Sequence, residues 1–177
     1  MKTVIIVGPS GCGKTAIVKV LCSKYSAYFE RVVTDTSRAP RGGEKDGIDY
    51  NFVSADDFSK PGYIEHACYS GNWYGTRKDA IDEIINKNRI PVLIMDIQGA
   101  DAMRSIYGKD AIAIFIDRNL EESAKAVDER ECSAEEKEKR KKQLASDYEA
   151  KKKCDFVVKN NKTLEDAASK IVMHAFS

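Results

Sequence analysis

The first apolar run, Thr3-Val4-Ile5-Ile6-Val7, is β-branched and has no charged break, as expected of a strand buried on both faces. After a glycine-rich octet, Ile17, Val18 and Leu21 recur at helical spacing. Arg31-Val32-Val33-Thr34 predicts a second short strand. Asp49-Tyr50-Asn51-Phe52-Val53 predicts another, beyond a polar loop punctuated by proline and glycine. Ser54 and Asp57 form a capping-box pattern for a short helical turn. Tyr63-Ile64-Glu65-His66 and Cys68-Tyr69 read as strands, with Ser70-Gly71-Asn72 as the turn into Trp73-Tyr74-Gly75-Thr76. Ala80, Ile81, Ile84 and Ile85 share one helical face, and Val92-Leu93-Ile94-Met95 is an apolar strand ending in Asp96. A short helix is predicted after Gly99, and Ala111 to Ile116 is another buried strand. Residues 119–151 are densely charged and predict two helices broken near Cys132-Ser133. The pairs Glu135/Lys139, Glu136/Arg140 and Glu138/Lys142 lie at i,i+4 there. Phe156-Val157-Val158 is a last strand, and Thr163 caps a helix that buries Leu164, Ala167, Ala168, Ile171, Val172 and Ala175.

Strands alternating with helices imply an α/β fold with a parallel sheet flanked by helices. At 177 residues this is one domain with room for small insertions, and 42% hydrophobic with 32% charged residues is ordinary for a soluble globular chain. A net charge of +1 argues against a broad nucleic-acid surface. No apolar run approaches the ~20 residues of a membrane span, and the opening residues lack the pattern of a secretory leader. Neither a nucleic acid nor a membrane is therefore an expected partner. The five cysteines (12, 22, 68, 132 and 154) are widely spaced without a C-x-x-C, so neither a zinc site nor a disulfide framework is indicated and a reducing cytoplasm is expected.

Gly8-Pro9-Ser10-Gly11-Cys12-Gly13-Lys14-Thr15 matches G-x-x-x-x-G-K-[ST] between a predicted strand and a predicted helix. Glycines at 8, 11 and 13 let the backbone turn its N–H groups inward, and the positive end of the helix points at the same concavity. This is a site for a nucleoside triphosphate, with Lys14 reaching the β- and γ-phosphates and the Thr15 hydroxyl ligating Mg2+. Asp96, closing an apolar strand, is the Walker B pattern that faces the Mg2+ shell. Arg38 and Arg41, with Pro40 between them, fit a helix surface poorly; an extended backbone at Pro40 can aim both guanidinium groups at one anion.

The octet resembles the phosphate loop of guanylate kinases. So do Thr36-Ser37-Arg38-Ala39-Pro40-Arg41-x-Gly43-Glu44, Asp46-Gly47-x-Asp49-Tyr50-x-Phe52, Gly71-Asn72-x-Tyr74-Gly75-Thr76 and Asp96-x-Gln98-Gly99, in order along nearly the whole chain. The resemblance implies a P-loop NTPase core (1–30, 77–118 and 152–177), a small β-rich GMP-binding insertion (31–76) and a helical lid (119–151). It implies that Arg38, Arg41, Tyr50 and Tyr74 clamp the acceptor monophosphate and that Glu65 and Thr34 read guanine, with Gly75, Thr76 and Asp96 in the same acceptor site. A carboxylate at Glu65 suits guanine because guanine offers adjacent N1–H and N2–H2 donors and adenine does not. Arg130 and Arg140 resemble lid arginines that fold over the transferring phosphates, with solvent-facing helix charge as the alternative. Catalysis then falls to Lys14, Arg38, Arg130 and Arg140. Mg2+ with ATP is the implied cofactor, held by Thr15 and, directly or through water, by Asp96.

Four positions depart from the family pattern. Ala126 stands where an arginine is usual and Ser123 where a leucine is, which predicts a lid weaker in cation and in packing. Thr34 takes a place usually held by serine. Cys12 occupies a phosphate-loop position usually filled by a small or β-branched residue; its thiol is either activated by the helix N-terminus, so that modification blocks ATP, or buried and inert. The expected reaction is ATP + GMP giving ADP + GDP, by a monomer or homodimer. The alternatives are a kinase of another phosphorylated small acceptor, such as a ribose bisphosphate, and a non-catalytic phosphopeptide-binding module of the same fold.

Overall fold

The computed structural model describes residues 2–69, 71–129 and 133–177. Its larger sheet contains β1 (Thr3–Val7), β2 (Phe29–Arg31), β7 (Ile90–Ile94), β8 (Ala111–Asp117) and β9 (Phe156–Lys159), in the order β2-β7-β1-β8-β9. Every pairing in it is parallel. Helices cover both faces, as parallel crossovers require. On one face Val4 and Ile6 of β1 pack with Ile17, Val18 and Leu21 of α1 (Lys14–Lys24) and with Ala168 and Ile171 of α6 (Leu164–Phe176). On the other, Ile5 and Val7 meet Ile81 and Ile84 of α2 (Lys78–Asn86) and Met103 of α3 (Ile97–Tyr107). All five residues of β1 are buried, which accounts for the unbroken apolar run that begins the chain. Each such aliphatic side chain contributes about 1.5–3 kcal/mol of burial. Among the described residues no helix is long and apolar enough to cross a membrane.

A smaller sheet holds β3 (Asp35–Thr36), β4 (Asn51–Phe52), β5 (Tyr63–Tyr69) and β6 (Asn72–Arg77), in the order β4-β3-β6-β5. It has too little aliphatic material for a core of its own and builds one from rings. Phe58, 4% exposed, stacks on Tyr63 at 5.0 Å and on Trp73 at 6.0 Å, while His66 lies edge-on to Trp73. The Ser54–Asp57 capping turn forms, with the Ser54 N–H donating to Asp57 at 2.9 Å.

The strand expected at Arg31–Thr34 divides differently. Phe29–Arg31 pairs with β7 in the large sheet, Asp35–Thr36 pairs in the small one, and Val32, Val33 and Thr34 carry the chain between them. Val32 is buried in the core, and its N–H still donates to the Val92 carbonyl of β7 at 2.9 Å before the chain leaves the large sheet. The expected strand at Asp49–Val53 contracts to Asn51–Phe52. The helix expected after Gly99 begins at Ile97, because Asp96 is its N-cap and accepts from the Gly99 N–H at 2.8 Å. The charged segment forms two helices, α4 (Leu120–Asp128) and α5 (Ala134–Glu149), with Glu138 and Lys142 at 3.8 Å; the other two pairs involve side chains outside the described set.

Within the small sheet, Thr36 ties β3 to β6 and to the loop that follows. Fully buried, its hydroxyl donates to the Trp73 carbonyl at 2.9 Å and accepts from the Arg38 N–H at 3.2 Å. Replacing Thr36 by the isosteric valine takes the acceptor from the Arg38 N–H, while the Trp73 carbonyl keeps the Ser37 N–H at 3.0 Å, and should cost about 1–3 kcal/mol in urea unfolding. A loss below about 0.5 kcal/mol would show that these bonds contribute little.

Candidate active site

The glycine loop leaves the C-terminal end of β1 and runs into α1. Gly13 is the helix N-cap at φ 97°, and no side chain caps the first turn. Its N–H groups therefore face the loop concavity, the arrangement that favours an anion. Gly11 lies at φ 82°, and a Cβ there would sit 2.2 Å from the Ser123 carbonyl oxygen; a Cβ on Gly13 would meet Asn160 Nδ2 at 2.6 Å. Neighbouring elements thus press directly on the loop backbone. Asn160 donates to the Cys12 carbonyl at 2.8 Å, and Arg118 donates to the Gly11 carbonyl at 3.2 Å. Lys14 Nζ spans the turn, donating to the carbonyls of Gly8 at 2.7 Å and Pro9 at 2.9 Å.

Helices α4 and α5 both reach this loop. Arg140 of α5 donates to Ser10 Oγ at 3.1 Å, so its charge is turned inward and not left on the solvent side. Arg130 lies outside the described residues. Ser123 of α4 is fully buried, and its backbone lies where a Cβ on Gly11 would sit, so the glycine is what lets the α4 backbone approach the loop. Cys12 is also completely buried. Burial pushes its thiol above the ordinary value and outweighs the opposing charge of Lys14, so the activated-thiolate alternative is set aside.

The small sheet gathers a second set of polar groups. Arg38 makes a bidentate contact with Glu44 at 2.9 and 3.0 Å and lies 5.5 Å over the Tyr50 ring. Burial alone would lower its pKa, but Glu44 and Tyr74 outweigh it and hold the guanidinium charged. Arg38 Nε is buried without a hydrogen-bond partner among the described residues. Tyr50 and Tyr74 meet edge-on at 6.1 Å beside it, and burial raises the Tyr50 pKa. Arg41 is exposed, and its backbone N–H donates to Glu44 at 2.8 Å. Thr34 is half-buried between the two sheets, its carbonyl accepting from the Asn51 N–H. Thr76, buried, donates to Glu65 Oε1 at 2.8 Å. Gly75 is buried for a packing reason, since a Cβ would lie 2.8 Å from the Tyr63 ring and 2.9 Å from His66.

Asp96 stands between these two sets. Burial pushes the Glu65 carboxyl above the usual range, Thr76 opposes the rise and the negative charge of Asp96 adds to it. On the other side Asp147 of α5, raised chiefly by burial and further by Asp96, is drawn back down by Lys14 and the Ser10 backbone. Gly8, Asp96, Gln98, Gln143 and Asp147 line a cavity of about 260 Å3 at the ends of β1 and β7. Strand ends at this edge of a parallel sheet are where ligands bind in such folds. Sequence reasoning did not find Arg118, Asn160 or Asp147, which reach the loop from 107 and 148 residues away or from the lid and leave no local pattern. Glu44 was in plain view, inside the motif that contains Arg38 and Arg41.

Over residues 1–175 the chain matches the family model described as Guanylate kinase. A guanylate kinase of Chlamydia muridarum is 32% identical over 166 residues, covering 90% of this chain and 80% of that protein. One from Chlorobaculum tepidum is 31% identical over 179 residues, covering 96% and 91%. The crystal structure of guanylate kinase from Anaplasma phagocytophilum superposes with a TM-score of 0.78 at 26% identity, over 99% of this chain and 84% of that one.

The burial of Cys12 has a direct readout. A thiol reagent titrated onto the folded protein should modify the exposed Cys68 first and Cys12 only on unfolding, as followed by peptide mass spectrometry. Modification of Cys12 in folded protein would contradict the geometry.

Proposed function

The chain belongs to the guanylate kinase family. We propose that it transfers the γ-phosphoryl group of ATP to GMP with the residues above in defined roles. The observation that carries this assignment is the position of Asp96, within electrostatic reach of Glu65 on one side and of Asp147, which also feels the charge of Lys14, on the other. A donor loop and an acceptor pocket therefore converge on one carboxylate.

The glycine loop holds the triphosphate of ATP, with backbone N–H groups from Ser10 to Thr15 and the Lys14 ammonium as its cations and donors. Arg38, Arg41, Tyr50 and Tyr74 hold the phosphate of GMP, and the buried Nε of Arg38 gains an acceptor when that phosphate binds. Glu44 keeps the Arg38 fork in place beforehand. Glu65, fixed by Thr76, accepts the paired donors of guanine, with Thr34 offering a hydroxyl to O6. Adenine lacks those donors and would leave a half-buried carboxylate unpaired, at a cost of about 1–3 kcal/mol.

No general base is required, because a phosphate monoester is already an anionic nucleophile at neutral pH. The protein's work is alignment, charge neutralisation and exclusion of water. Lys14 and Arg140 face the charge that develops on the transferred group, joined by Arg130 on the family pattern. Thr15 and Asp96 supply the oxygen donors that a hard cation takes. Among the described residues no group of three or more His, Cys, Asp or Glu side chains could hold a metal by itself, which suits an ion carried mainly by phosphate oxygens. Bound there, Mg2+ would neutralise charge on the β- and γ-phosphates. Residues 31–76 then form the acceptor-binding insertion, 119–151 the lid, and the remainder the core.

In a coupled assay Lys14→Ala should lower kcat by about a thousandfold or more, while calorimetry shows GMP binding unchanged. Retention of kcat would remove Lys14 from the mechanism. Glu65→Ala should erode the preference for GMP over AMP by about a hundredfold and leave the KM for ATP within about twofold. An unchanged base preference would refute the assignment of Glu65.

A further inference from the structure

We propose that Asp35 is a positioning residue for the acceptor site, its buried carboxylate holding in register the strands that carry the GMP-contacting side chains. It touches no substrate in this scheme. It acts through Asn51 and Tyr63, and since it rests on the assignment of the small sheet to GMP, its test must separate the two claims.

Asp35 is 3% exposed. An aspartate is rarely buried so completely unless its oxygens are matched. Here they are matched by two uncharged donors: Asn51 Nδ2 donates to Oδ1 at 2.8 Å and the Tyr63 hydroxyl donates to Oδ2 at 2.5 Å. The nearest compensating cation acts at one remove. Arg77 lies 5.5 Å over the Tyr63 ring, feels the Asp35 charge, and is itself paired with Asp79 at 2.7 Å. Burial and Asp35 together push the Tyr63 hydroxyl up to about 12, so it keeps the proton it donates.

Topology makes this bond informative. The backbone of Asp35 pairs with Asn51 on β4 and with Gly75 on β6, but β5 lies beyond β6 and shares no ladder with β3. The Asp35–Tyr63 bond therefore crosses a whole strand. It can do so because Gly75, directly opposite Asp35, has no side chain to fill the gap; a Cβ there would lie 2.8 Å from the Tyr63 ring. One carboxylate thus ties together three of the four strands, β3, β4 and β5, and the Asp35 backbone pairs with the fourth, β6.

Every residue assigned to guanine or to the acceptor phosphate in this sheet is close in sequence to one of these ties. Thr34 precedes Asp35, Tyr50 precedes Asn51, Tyr74 and Thr76 flank Gly75, and Glu65 is two residues after Tyr63. A slip of any strand would separate Glu65 from Thr76 or Tyr50 from Tyr74. Holding them in place before GMP arrives lowers the ordering cost of binding and leaves the transfer step to Lys14 and the lid.

The test is calorimetric binding of GMP and, separately, of a non-hydrolysable ATP analogue, together with steady-state kinetics, on the wild type, Asp35→Asn, Tyr63→Phe and the double variant. The expected result is a GMP Kd and KM raised about tenfold in Asp35→Asn and about threefold in Tyr63→Phe, with the double variant no weaker than Asp35→Asn alone. Saturating kcat and the Kd of the ATP analogue should stay within about twofold, a split that general loosening of the fold would not produce. Wild-type GMP affinity in folded Asp35→Asn and Tyr63→Phe overturns the proposal, as does equal weakening of GMP and ATP-analogue binding. Should Asp35→Asn fail to fold, Tyr63→Phe decides alone: unchanged GMP affinity in it overturns the proposal and a selective loss supports it. A wild type that binds the ATP analogue and not GMP would instead overturn the acceptor-site assignment itself.

Discussion

Phosphoryl transfer in this protein depends on a loop whose backbone N–H groups must stay turned inward around an anion. Such a loop has little side-chain bulk of its own to hold that shape. The shape is imposed from outside. Beneath it, β1 is buried on both faces between β7 and β8 and cannot shift without disturbing both. Around it, Arg118 fixes the Gly11 carbonyl, Asn160 fixes the Cys12 carbonyl and Arg140 reaches Ser10. These contacts explain why Gly11 and Gly13 are glycines apart from any ligand: the backbone of α4 and the side chain of Asn160 occupy the space a Cβ would need. Loop rigidity and lid contact are in this sense one feature.

The acceptor side solves the opposite problem. The small sheet has few residues per strand and an aromatic filling in place of an aliphatic core, so its polar groups must support one another. Arg38 is steadied by Glu44 and two rings, Glu65 by Thr76, and Asp35 by Asn51 and Tyr63. Holding a half-buried carboxylate such as Glu65 is costly until a ligand with complementary donors arrives, and in the proposed mechanism that cost is the source of base selectivity. Asp96 connects the two sides: it caps α3 through Gly99 while its charge is felt by both Glu65 and Asp147.

Much of this was legible in the chain. The strand–glycine loop–helix order was readable because each part has a short-range signature, and the motifs around Arg38, Tyr50 and Tyr74 marked the residues that the small sheet gathers. Local pattern failed where partners are distant. The run Val32-Val33-Thr34 resembles a strand in its β-branched residues, of which Val32 is buried, yet it serves as the passage between two sheets. Nothing near Asn160 or Arg118 in sequence announces contact with the loop. Asp35 reads as an ordinary loop acid until the fold sets Gly75 opposite it and brings Tyr63 over the gap. Cys12 was ambiguous for a similar reason: helix-terminus electrostatics and burial push a thiol in opposite directions, and only the packing shows that burial wins.

The most direct test of a donor loop and a guanine-reading pocket meeting at Asp96 is one coupled assay of the wild-type protein. ATP and Mg2+ would be supplied in turn with GMP, AMP, CMP and UMP, and ADP release followed for each. Rapid release with GMP, and at least about a hundredfold lower kcat/KM with the other three, is the predicted result. Comparable turnover of any other monophosphate, or none with GMP, would contradict it.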